Sequence, residues 1–293
     1  AAIYDFRRRH GLFGQIIRFG GLASVAMVTL AVVQNMAAPV MQVVSRRWML
    51  FGATPLESKI QVGFFSTALI FGMATMLLVG VAIALMPAMS DAEGRGRHDL
   101  MQDYFEGAMQ QCFFVLGIFT IIYAVYGGRI VELMNGAQFP ASVMQPLVLL
   151  SVIGGGGVSL LFVLVHLLIG VKRPAAAALL MGLVFAGLIL SMTFFSFRFR
   201  DVNMAMLGFS IPPLLGCLGC FIYLKARLDL KFPWWALLEP VCCGAPAVLI
   251  AAYLIPGSSV WMMFAGIAVM AAMFIAPLAV LGKRRERRRA AAA

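Results

Sequence analysis

Ser24, Asn35, Gln42 and Arg46 stand out because they interrupt an otherwise apolar stretch. At about 100° per residue they fall within one narrow arc of a helix, with Gln34 beside them. Asn35 lies near the middle of the apolar run 16–44, Arg46 just beyond one end and Arg18 near the other. An amide moved into hydrocarbon without a partner costs about 4–8 kcal/mol. Such a stripe must therefore face a water-filled cavity or bond across to another helix, and both readings stand. The chemistry on offer is recognition. Amides bond hydroxyls, and a guanidinium fork holds two oxygens of an anion at once.

Catalysis needs a convergent set of acid, base, nucleophile or metal ligands, and none is visible. His10 and His98 lie in polar flanks, and His166 sits inside an apolar run, where a hydrogen-bonded packing role is expected. Glu239 falls in the first turns of another run, and no Asp or Glu lies near the centre of any. Cys112, Cys217, Cys220, Cys242 and Cys243 all fall within or beside apolar segments, so they read as small buried side chains. Cys217 and Cys220 form a CxxC, but inside hydrocarbon their thiols are out of reach of water. The expectation is no enzyme, no metal and no cofactor.

The elements that carry these residues follow from composition. Of 293 residues 62% are hydrophobic and only 12% charged, with a mean hydropathy of +0.95. A soluble chain of this length needs far more charge to cover its surface. A spanning helix needs about 20 apolar residues, and eight segments meet that test: 16–44, 61–86, 109–134, 143–171, 174–197, 203–224, 233–254 and 260–281. The fold class is all-α, a polytopic transmembrane helix bundle of about eight spans. Pro212 and Pro213 are expected to interrupt the sixth span, and the run Gly154 to Gly157 to serve close packing or a hinge. The long polar connection 90–111 is expected to begin as a loop and continue as a helix.

Basic residues orient the chain. With the N-terminus in the cytoplasm, seventeen of the 23 Lys and Arg lie on the inside, among them Arg7 to Arg9, Lys172, Arg173 and the 283–289 cluster. The positive-inside rule then places both termini in the cytoplasm. The same distribution accounts for the net charge of +11 by contact with anionic lipid headgroups, with no nucleic-acid partner.

Three stretches carry a resemblance to a known family. Arg18-Phe19-Gly20 opens the first span. Leu85-Met86-Pro87-Ala88-Met89-Ser90 closes the second, followed by a charged link through Arg97-His98-Asp99 to Tyr104-Phe105. Ile130-Val131-Glu132-Leu133-Met134-Asn135-Gly136, with Phe139, ends the third. Together they resemble the second half of polysaccharide and lipid-linked oligosaccharide flippases of the multidrug, oligosaccharidyl-lipid and polysaccharide exporter superfamily.

The resemblance implies a six-helix transmembrane lobe over residues 16–224, two additional helices over 225–282, a basic cytoplasmic segment at 1–15 and a basic tail at 283–293. It implies a multi-pass protein of the bacterial inner membrane that translocates a lipid-linked oligosaccharide or polysaccharide precursor by alternating access. Arg18, Gln34, Asn35, Gln42 and Arg46 would line its cavity. The implied partners are membrane lipids, the lipid-linked glycan, and a first lobe belonging to this polypeptide or to another chain. Two alternatives remain: a non-transporting membrane subunit or scaffold, and a cation-coupled drug antiporter.

Overall fold

A computed structural model describes the backbone of residues 2–48, 50–51, 54–254 and 259–292, and side chains over 17–45, 50–51, 54–251 and 259–278. Helices run as α1 Ala2–Trp48, α2 Pro55–Gly72, a 3-10 stretch Met73–Leu78, α3 Val79–Gly94, α4 His98–Asn135, α5 Ala141–Gly170, α6 Pro174–Phe199, α7 Val202–Leu228, α8 Trp234–Leu254 and α9 Val260–Ala292. The pair α2–α3 with its 3-10 link forms one span, Pro55–Gly94, so eight helices are long and apolar enough to cross a membrane. Among the described residues there is no strand. In hydrocarbon each backbone amide must find a partner within the protein, and a helix supplies nearly all of them from the same span.

The bundle is organised around α5. Its apolar window is 78% buried, against 17% for α1, because α2, α3, α4 and α7 all pack on it. Ordinary side chains would keep these backbones apart, and the glycine run is what lets them meet. A Cβ on Gly155 would strike the backbone of Gly72, and one on Gly72 would strike Ser151. Hydroxyls then tie the crossing: Ser151 donates to the Ala68 carbonyl (2.7 Å), and Thr75 Oγ1 lies 2.8 Å from both Ser159 Oγ and the Gly72 carbonyl. The run from Gly154 to Gly157 thus serves close packing.

Two local expectations change. Pro212 and Pro213 do not interrupt α7, which is continuous across them. Pro212 deprives the Gly208 carbonyl of its ladder donor, and the Ser191 hydroxyl of α6 supplies one at 2.6 Å. The polar connection after the second span is also shorter than expected, since α3 continues to Gly94 and α4 begins at His98. Gly96, at φ +66, makes the turn in a region other residues avoid. Arg95 pairs with Asp91 (3.0 Å) before it and Arg97 with Asp99 (2.8 Å) after it.

Gln145 of α5 is spliced into the ladder of α4. Gly128 N–H donates to Gln145 Oε1 (2.6 Å), while Gln145 Nε2 donates to the carbonyls of Tyr123 (2.8 Å) and Ala124 (2.7 Å). Removing the amide leaves these backbone groups short of partners in a half-buried contact, at about 1–3 kcal/mol per group left unmade. Gln145→Ala is therefore expected to lower the thermal midpoint of detergent-purified protein by several degrees. A midpoint unchanged from wild type would show that α4 simply recloses its own ladder.

Candidate functional site

The apolar positions of α1 repeat as Ala26, Leu30, Val33, Ala37, Met41 and Val44, all buried. They seat the helix on α6 and leave the opposite face uncovered. That face carries Ser24, Asn35 and Gln42, all exposed. The helix phase that buries the apolar side thus presents the polar one at the edge of the bundle.

At one end of this face, α1 and α2 enclose a recess of about 370 Å³ lined by Gln42, Ser45, Lys59, Val62, Gly63, Ser66 and Thr67. Ser45 and Ser58 hydrogen-bond to each other at the wall, holding the two helices together. Thr54 caps α2, accepting from Glu57 N–H (3.2 Å), while Glu57 accepts from Thr54 N–H (3.3 Å). This capping box fixes the start of the helix that carries Lys59. The Ser66 hydroxyl is buried and has no hydrogen-bond partner among the described residues. The recess therefore offers an amide, an ammonium and hydroxyls, a set that suits an anion or a sugar. Among the described residues no group of three metal-ligating side chains comes together.

The sequence-predicted residues distribute unevenly around this recess. Gln42 lines it. Asn35 shares the exposed face and donates to the Ala31 carbonyl of its own helix (2.8 Å). Gln34 turns inward, its amide 3.6 Å from Met76 Sδ in the 3-10 stretch, so it reads as an interhelical contact. Arg18 is exposed, but about 36 Å along the helix from Gln42 at about 1.5 Å per residue, so the two do not meet. The side chain of Arg46 lies outside the described residues. Lys59, Ser66 and Thr67 were missed because they come from a second helix. Their signal was present: with Gly63 they share one face of α2.

His166 and Cys217 do not line the recess. His166 donates from Nδ1 to the Phe162 carbonyl (2.8 Å) and stacks on the Phe162 ring at 4.3 Å. Cys217 donates to the Gly157 carbonyl at 3.3 Å. Both are packing interactions within the bundle.

An all-helical, eight-span bundle of this element order is a multi-pass membrane protein with a flippase-like fold. It is similar to the solved structure of the lipid II flippase MurJ in its inward closed conformation, with a TM-score of 0.71 and 12% identity. The likeness covers 87% of this chain and 52% of that one, so the chain spans about half the length of that flippase. No protein-family model and no curated protein matches the chain.

Proposed function

We propose that this chain is the second lobe of a transporter that moves a lipid-linked oligosaccharide or polysaccharide precursor across the bacterial inner membrane by alternating access. The observation that carries this reading is the uncovered polar face of α1, joined by Lys59 and Ser66 of α2 in one recess. A polar face in a spanning helix faces a cavity or another protein surface, and the flippase-like fold supports the cavity. A first lobe, in the same polypeptide or a partner chain, closes the other side. The sugar-phosphate headgroup crosses within the polar space while its lipid tail stays in the bilayer. Both termini face the cytoplasm on this reading, which the distribution of basic residues favours, and 225–282 form the two additional helices.

Asn35→Leu, Gln42→Leu and Arg46→Ala, introduced together in cells that depend on the protein for surface glycan, are expected to stop glycan export at normal protein levels. Unchanged export would sink the transport reading. It would leave the same face as a docking surface for a membrane scaffold, which site-specific cross-linking from Gln42 to a neighbouring protein would reveal.

A further inference from the structure

A second cavity, of about 390 Å³, opens between α4, α5, α7 and α8. It arises from how α8 is attached. Among the described residues α8 packs along α4 and α9, with Gly244 so close that a Cβ would lie 2.9 Å from Ile121 of α4. A slot is left between Val241 and Ala245 of α8 on one side, and Ile153, Gly156 and Leu160 of α5 with Leu214 of α7 on the other. Among the described residues no charged side chain lines it, and Thr120 supplies a hydroxyl.

The dimensions select an occupant. The slot follows α8 from Leu237 to Val248 and α4 from Phe113 to Ala124, in each case about 16 Å of helix at about 1.5 Å per residue. A volume of about 390 Å³ spread along that length makes an elongated apolar space, the shape of a single extended hydrocarbon chain. Apolar cavities of this kind do not fill with water, and the lining helices are membrane spans surrounded by hydrocarbon. We propose that the slot is a resident-lipid site, taking one unbranched acyl chain of a bilayer phospholipid that packs α8 and α9 onto the rest of the bundle.

Helix phase separates this chain from any transported molecule. Ser151, Gly155 and Ser159 point α5 toward the α2 span, whereas Ile153, Gly156 and Leu160 lie about 130° round the helix. The body of α5 thus stands between the slot and the polar recess. The site holds whether or not the chain transports a glycan.

The test is photolabelling of the full chain in membrane vesicles that contain phosphatidylcholine with a diazirine on one acyl chain. Label is expected to concentrate several-fold on the peptides 113–124 and 237–248 relative to the α6 peptide bearing Leu183 and Leu190, which are 64% and 70% exposed. Val241→Trp and Ala245→Phe, both at exposed positions on the slot wall, are expected to reduce slot labelling to the α6 level with unchanged helicity. If the larger substitution fails to fold, Ala245→Phe alone decides. Equal labelling of slot and α6 in the wild type overturns the proposal, as does undiminished labelling in the filled variants. Labelling by a diazirine-bearing polyprenyl diphosphate in place of the phospholipid overturns it too, assigning the slot to a cargo tail.

Discussion

Gly155→Ala is expected to prevent stable assembly of the bundle, while Gly156→Ala, one residue along, leaves it intact. A Cβ on Gly155 runs into the backbone of Gly72, which cannot move without shifting the whole second span. Overpacking costs about 1–3 kcal/mol when side chains can yield, and here the obstacle is main chain, so about 3 kcal/mol or more is expected. A Cβ on Gly156 meets only the tip of Leu116 at 3.0 Å, which a rotamer adjustment of about 1 kcal/mol relieves. Size-exclusion profiles and thermal midpoints of the purified variants check the contrast. Equal behaviour of the two would mean that the α2–α5 crossing is looser than its hydroxyl ties indicate.

On the proposed transport reading, Lys59→Ala is expected to reduce glycan export by about tenfold, and Lys59→Arg to retain most of it. A hydrogen bond to a charged group contributes enough for a factor of roughly ten to a hundred, and Arg keeps both charge and donors. Ser66→Ala should weaken export less, since a neutral hydroxyl gives a weaker bond than an ammonium. The readout is surface glycan per cell at matched protein level. Full export by Lys59→Ala would remove the recess from the transport path while leaving the rest of the α1 face in question.

The eight spans were legible because a bilayer imposes one simple demand, a run of about 20 apolar residues, and each run meets it. The polar stripe was legible because Asn35 and Gln42 lie on one helix at fixed phase. What escaped depends on neighbours. Pro212 and Pro213 look like a break until Ser191, on another helix, satisfies the freed carbonyl. The 3-10 stretch Met73–Leu78 carries five apolar residues and one Thr, with no periodicity to mark a change of winding. The recess needed Lys59 and Ser66 beside Gln42, a juxtaposition that arises where α1 and α2 meet. Gln34, placed beside the stripe by arithmetic, lies far enough round the helix to meet Met76.

The link between Gln102 and Lys231 bears on the order in which the chain is built. The Gln102 side chain accepts from Lys231 N–H (2.9 Å) and donates to the Lys231 carbonyl (2.9 Å), pinning the segment between α7 and α8 to the start of α4 across 129 residues of sequence. At a synthesis rate of about 5–20 residues per second, Lys231 leaves the ribosome roughly 6–26 s after Gln102. Through that interval α4 waits with its α8-facing side uncovered, and the earlier helices must hold their arrangement without the last two. The amide of Gln102 acts as a latch that closes late, when the seventh span arrives.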